Sequence, residues 1–391
     1  MRVLEVGTVI MAPYAGKILK DMGAEVIKME PPDGDIGRRI GMVGRSGISL
    51  LSLNLNAGKK SIVVDASDPG EAETIRRLVG WADVIITNLL PSRREAFGLD
   101  WESVEKVDPA TILVTGQGFS SVSERRDDPA YDDIVQAAAG IADTYRLRDG
   151  APGYSPYVVA DKVCGMSMVQ GALAALYRRG TTGVGEWVDV PMVDTVAAFT
   201  LVEHLGGDTT NPSSGEVGWS RVLSPAHKPH RALDGWVCVM PYTDANWERF
   251  CRLIGRVDYL EHPDLRTNAR RSAKPETYEA VLADYARTRT CDEIEAECRT
   301  ARIPVQRVNE IRDLTRDEYI GRQPMITRST HHAEGPYLHI GSPLQFAGAS
   351  RPPVEDCSEL DADRDEVLRL IERDSLNEIR TPNGSSRSGH S

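Results

Sequence analysis

The side chains of this 391-residue chain that could do chemistry gather at the ends of short apolar runs. GDIGRR (34–39) puts Arg38 and Arg39 on a Gly-rich loop after EVIKME, and GKKS (58–61) puts Lys59 and Lys60 just before SIVVD. Asn88 closes DVIITN, and Arg93 and Arg94 open the helical pattern that follows it. Guanidinium, ammonium and carboxamide groups beside strand ends and helix N-termini can capture an anion such as a phosphorylated ligand. Taken one at a time, each is equally what a solvated surface carries. Asp161 is the second candidate, in YVVADKVCGMSMVQGALAALYRR (157–179). There an extended segment meets an acidic residue and turns helical, so on form alone Asp161 reads as an N-cap whose carboxylate accepts backbone N–H bonds. Small residues from Gly165 to Ala175 would let another backbone come close to that helix. Asp132 and Asp133, beside Tyr131, also read as a helix cap.

Other chemistries find no pattern. There is no GxSxG elbow and no P-loop, and the first strand is followed by GTVIMAP rather than GxGxxG. The histidines show no HExxH spacing, and His227 and His230 in SPAHKPHR read as a solvated loop. The six cysteines are scattered without a CxxC, which points to reduced, mostly buried thiols rather than zinc or disulfides.

The elements that must position these groups alternate. RVLEV (2–6), a helix through Tyr14, Ile18, Leu19 and Met22 ending at Gly23, and EVIKME (25–30) have βαβ spacing. SIVVD (61–65), a helix after Pro69, DVIITN (83–88), helices near 91–97 and 101–104, and TILVTG (111–116) continue it, which predicts a doubly wound α/β domain with a parallel sheet. In such sheets ligands bind outside the carboxyl ends of the strands, where Arg38, Asn88, Arg93 and Arg94 would lie. A helix follows at 131–140, a DGAPG loop at 149–153, and a strand and helix at 186–205. The Gly/Ser/Pro-rich segment 206–218 reads as a hinge. Beyond it, GWVCVMP (235–241), helices at 246–255, 276–288 and 291–301, and VQRV (305–308) describe a smaller α+β unit, and 363–373 a last amphipathic helix.

A net charge of −12 argues against nucleic acid, whose binding needs a basic footprint. No apolar run reaches the length of a membrane span, and MRVLEVG lacks the regions of a signal peptide, so the expectation is a cytoplasmic protein.

The order RVLEVGTVIMAPYAGKILKDMGAEVIKMEPPDGDIGRR, SLNLNAGKKSIVVD, ADVIITNLLPSRREAFGLDW, YDDIVQAAAG, VVADKVCGMSMVQGALAALYRR strongly resembles the family III CoA-transferases, also called the CaiB/BaiF family. DGWVCVMPYTDANWERFCRLIG and ARIPVQRVNEI are similar to its small domain, and the likeness covers roughly residues 1–350. The resemblance implies a Rossmann-like large domain built from both chain ends (1–205 and 323–378), an inserted small domain (226–322) and two chains interlocked as a homodimer, while composition predicts a linker (206–225) and a polar, low-complexity disordered tail (379–391). It implies acyl-CoA and a small carboxylic acid as substrates, and the missing metal-ligand spacing and GxGxxG fingerprint predict neither metal nor NAD. Asp161 then becomes the nucleophile. Its carboxylate, with an ordinary pKa of about 4, is expected to be an anion at neutral pH and to need no general base. CoA is expected near Arg38, Arg93, Arg94, the Asn88–Leu89 turn and Tyr131, with Met11 on the turn facing the adenine side. SSGEVGW (213–219) is the nearest counterpart of the family's Gly-rich active-site loop. The α-methylacyl-CoA racemases of the same superfamily, which carry His where this chain has Tyr131, make racemisation the alternative reading, and a CoA-binding protein without catalysis a third.

Overall fold

The computed structural model of the chain describes residues 1–380, with side chains through Arg373. The stretch from 381 onward, expected to be disordered, lies outside the described residues, while the last helix, Arg364–Arg380, takes in the first two residues of that expected tail. The chain divides into two units. One comprises 1–139, 155–199 and the chain from Arg322 on, and the other comprises 140–154 and 200–321.

The first unit holds a six-stranded parallel sheet: β1 (Arg2–Val6), β2 (Glu25–Glu30), β3 (Lys60–Val63), β4 (Val84–Thr87), β5 (Ile112–Thr115) and β6 (Trp187–Asp189). The order is β3-β2-β1-β4-β5-β6. The strands read as near-continuous apolar runs because both faces are covered, and β4 and β5 are buried at every position. One face is closed by Leu78 and Val79 of the Ala72–Trp81 helix and by Val367 and Ile371 of the Arg364–Arg380 helix, against Leu4, Ile27, Ile62 and Ile85. The Met11–Asp21 helix packs on the Val159–Thr182 helix so closely that a Cβ at Gly165 would lie 2.8 Å from the Met11 carbonyl oxygen. That approach explains the small-residue stripe.

The order reverses between β1 and β4, so their carboxyl ends diverge and leave a crevice. Helices at Leu50–Leu55 and Ile141–Asp149 had no signal in the sequence reading. Both are short, and neither has the long apolar period that marks a helix by pattern.

In the second unit, β7 (His230–Arg231), β8 (Trp236–Val239) and β9 (Val305–Arg307) form an antiparallel sheet. Trp247, Phe250, Leu282, Tyr285 and Ile294 supply its core. The expected hinge folds back on itself, with Gly207 N–H donating to Glu216 C=O at 2.9 Å and Gly218 N–H to His204 C=O at 2.7 Å. His227 and His230 are not free loop residues: both ring systems meet the buried Glu279 carboxylate at 3.0 Å. No helix among the described residues is long and apolar enough to cross a membrane.

Candidate active site

A cavity of about 570 Å³ opens at the carboxyl ends of β1, β4 and β5. Its first wall is the Gly7–Val9 exit from β1. Gly is required at position 7 because an added Cβ would come within 2.4 Å of Ala12 Cβ. Asn88, at the end of β4, reaches across and ties this wall down. Its Oδ1 accepts the Thr8 N–H at 2.8 Å and its Nδ2 donates to the Thr8 carbonyl at 3.0 Å. Another wall, Gly116–Gly118 after β5, lies against Met11, whose Cε would be 2.2 Å from a Cβ at Gly116. Met11, Asn88, Leu89, Arg93, Tyr131 and Asp161 all line this one cavity.

Arg38 and Arg94 do not line it. The Arg38 guanidinium turns inward and grips Glu30 in a two-point pair, Nε to Oε2 at 2.7 Å and Nη2 to Oε1 at 2.6 Å, while Nη1 donates to the Ser358 carbonyl at 3.0 Å. Arg94 is spent on Leu89 C=O at 2.7 Å, Gln117 Oε1 at 2.9 Å and Ser121 Oγ at 3.2 Å, so it shapes the β4 exit turn from beneath. Both arginines were expected near CoA, Arg38 at its phosphates; in the structure their guanidinium groups are engaged by buried acceptors. Of the residues lining the cavity, Arg93 is the one basic side chain, and it is exposed.

Asp161 sits in the first turn of the Val159–Thr182 helix, two positions past its start, and makes no capping bond. The N-cap reading is therefore corrected: Val158 occupies that place. The cap comes from another helix. Asp132 Oδ1 accepts the Asp161 N–H at 3.1 Å, Asp132 Oδ2 accepts from Gln136 Nε2 at 2.5 Å, and Gln136 Oε1 accepts the Ser155 N–H at 2.9 Å. Asp132 is buried, whereas its neighbour Tyr131 is 70% exposed at the cavity. Burial, reinforced by the adjacent Asp132 carboxylate and only partly opposed by Lys162, pushes Asp161 up to about 7. The expectation of a fully ionised carboxylate at neutral pH is corrected accordingly. The carboxyl is shifted into the neutral range and is more basic than a free aspartate, which strengthens it as a nucleophile or a proton acceptor. Sequence reading took Asp132 for a local cap and missed Gln136. Their partners lie 29 and 19 residues away, beyond any periodic pattern.

The Asp132–Asp161 pair carries a pH prediction. Asp132→Asn keeps an oxygen for the Asp161 N–H but removes the negative charge. The pH at which Asp161 ionises, followed by the pH profile of turnover or by NMR of the labelled carboxyl carbon, is expected to move downward. An unchanged or upward-moved midpoint would contradict the electrostatic coupling.

His331, His332 and Asp356 bring their ligand atoms within 4.8 Å of one another. His331 has no lone pair to spare for a cation. Its Nε2 is bonded to the Cys357 carbonyl at 3.0 Å, and its Nδ1 accepts the Ala333 and Glu334 N–H groups, each at 3.2 Å.

A doubly wound parallel sheet with a partly buried aspartate in its switch-point crevice defines an α/β fold of the ligand-binding class, and the comparisons specify the family. Residues 1–363 match the family model "CoA-transferase family III". A succinyl-CoA–D-citramalate CoA-transferase of Chloroflexus aurantiacus is 27% identical, the match covering 83% of this chain and 82% of the relative. A formyl-CoA:oxalate CoA-transferase of Rhodopseudomonas palustris is 27% identical over 95% of this chain and 92% of its own. A crystal structure of a CaiB/BaiF family protein from Brucella suis superposes with a TM-score of 0.79 at 23% identity, covering 95% of this chain and 98% of that one, and so shares the fold. The chain belongs to the family III CoA-transferases and is an enzyme that moves CoA between an acyl-CoA and a carboxylate.

Proposed function

We propose that Asp161 is the covalent nucleophile of this CoA-transferase and that the switch-point cavity holds the reacting thioester. The observation that carries the reading is the Asp161 carboxylate, pushed up to about 7 on the cavity wall with no hydrogen-bond donor engaging it. In its ionised form an Asp161 oxygen attacks the thioester carbonyl, and the C–S bond breaks to give an acyl-aspartyl anhydride and CoA thiolate. The thiolate then attacks the aspartyl carbonyl, releasing the donor as a carboxylate and leaving an aspartyl-CoA thioester. The acceptor carboxylate repeats the two exchanges in reverse. No proton is gained or lost across the cycle. Arg93 supplies positive charge for CoA phosphate, and Asn88, Leu89, Met11 and Tyr131 shape the pocket around the ligand.

The proposed assembly is an interlocked homodimer in which the small domain (226–322) is inserted into a large domain made from 1–205 and 323–378. Met166, Leu173 and Tyr177 support a second copy, since they lie on one face of the Val159–Thr182 helix and are exposed.

The test is intact mass after brief exposure to a mixture of acyl-CoAs, with hydroxylamine trapping and peptide mapping. A hydroxamate on Asp161 is expected, and the adduct mass identifies the acyl donor. Deuterium wash-in at the acyl α-carbon without any adduct would instead assign Asp161 as the base of a racemase.

A further inference from the structure

The sharpest backbone constraint in the first unit's cavity lies where β1 ends. Val9 has φ +66°, in the left-handed region that a β-branched residue rarely enters. Four backbone polar groups of the Gly7–Val9 segment are held by side chains. Lys28 Nζ donates to the Gly7 carbonyl at 2.9 Å, and Asn88 bonds both the N–H and the C=O of Thr8. Asp35 Oδ1 accepts the Val9 N–H at 2.9 Å and the Gly37 N–H at 2.8 Å, while its Oδ2 meets Lys28 Nζ at 3.1 Å. Gly7, Thr8 and Val9 line the cavity, whereas Asp35 and Lys28 do not, and both are 1% exposed.

Beneath them the charges balance. Glu5, Glu30 and Asp35 face Lys28, Lys59 and Arg38, with Glu5 bridging Lys28 at 2.8 Å and Lys59 at 2.7 Å. Buried ion networks of this kind are weak sources of stability compared with apolar packing. A strained residue persists only where its surroundings over-determine it, and such sites concentrate around ligands.

We infer that Asp35 and Lys28 are positioning residues that hold the Gly7–Val9 wall, Val9 in its left-handed conformation included, in the shape that receives CoA. The inference rests on the reading of this cavity as the CoA site. Without an acceptor at Asp35, Val9 relaxes to negative φ, the peptide planes on either side rotate, and the wall and the start of the Met11–Asp21 helix leave the receiving shape. A ligand then binds only the fraction of molecules that still hold it. If that fraction falls to about a tenth, the apparent Kd rises about tenfold.

The experiment measures CoA binding by calorimetry and thermal midpoints for the full chain and for Asp35→Ala, Asp35→Asn, Val9→Gly and the double variant Val9→Gly/Asp35→Ala. Both Asp35 variants lose a partner for Lys28, so both are expected to melt earlier. Only Asp35→Ala is expected to bind CoA about tenfold more weakly, because Asn retains an oxygen for the Val9 N–H. In the Val9→Gly background the Asp35→Ala penalty on Kd is expected to shrink, since Gly adopts φ +66° unaided. An equal Kd penalty in both backgrounds, an Asn variant as weak as Ala, or a lowered midpoint with Kd unchanged would each overturn the positioning role while leaving the CoA site intact. Failure of the unaltered protein to bind CoA would remove the functional reading and this inference together.

Discussion

Asp161→Asn is expected to abolish acyl exchange, with a loss on the order of 10⁴-fold or more, because an amide cannot form the anhydride and no neighbouring group replaces it. The same substitution is expected to make the protein more stable at pH 8. Burial and the Asp132 carboxylate hold Asp161 up at about 7 in the folded chain. An unfolded aspartate titrates near 4, so folding takes up a proton between those values. The stability associated with neutral Asp161 is fully present below pH 4 and is lost as pH rises to about 7. Asn never ionises and avoids that loss. Thermal melts by circular dichroism should show the variant above the unaltered protein at pH 8, with the gap closing in acid. Retained turnover would eliminate the nucleophile assignment. A variant that melts earlier at pH 8 would show that the ionised carboxylate is not penalised by its surroundings.

Arg38→Met is expected to damage the fold rather than CoA binding. Removing the guanidinium leaves Glu30, 1% exposed, without its two-point partner, and breaking a buried pair in this way costs about 3–5 kcal/mol. Burial alone would raise Glu30, but the hydrogen bonds of Arg38, together with Lys28, hold it at about 2. Its depressed value contributes stability that is present above the ordinary carboxylate range and lost as pH falls through about 2. In Arg38→Met the acid limb of unfolding is expected to shift upward, toward the normal carboxylate range, alongside a large drop in the urea midpoint near neutrality. A variant with unaltered midpoint but weakened CoA binding would restore Arg38 to the phosphate role that its Gly-rich loop suggested.

The first unit was legible because its signals are local. Apolar runs such as DVIITN and TILVTG, alternating with capped helices, specify parallel strands, and a strand's residue pattern reports burial on both faces directly. The ligand-bearing edge followed from that, since parallel strands all present their carboxyl ends to one side, while the strand order that opens the crevice between β1 and β4 came from the fold. The order of the segments was enough to identify the family, whose likeness proposes Asp161 as the nucleophile.

Which basic side chain reaches a ligand was not legible. Arg38, Arg93 and Arg94 look alike in sequence, and each follows a strand end. Arg38 is claimed by Glu30, eight residues away, and by the Ser358 carbonyl, 320 residues away, while Arg94 is claimed by acceptors on the neighbouring loop. Arg93, the neighbouring residue on the same helix, lines the cavity and is exposed.

The sequence by itself determined the strand and helix alternation, the sheet edge at which ligands gather and the family, and so proposed Asp161 as the nucleophile, because each depends on local residue pattern or on the order of segments. Tertiary structure alone decided the protonation of that aspartate and the shape of the wall facing it. Burial first, and then the Asp132 carboxylate arriving from a separate helix, push Asp161 up to about 7. Val9 holds its left-handed turn because Asp35 arrives from the loop after β2. A pKa and a strained turn are properties of distances between groups far apart in the chain, and only folding sets those distances.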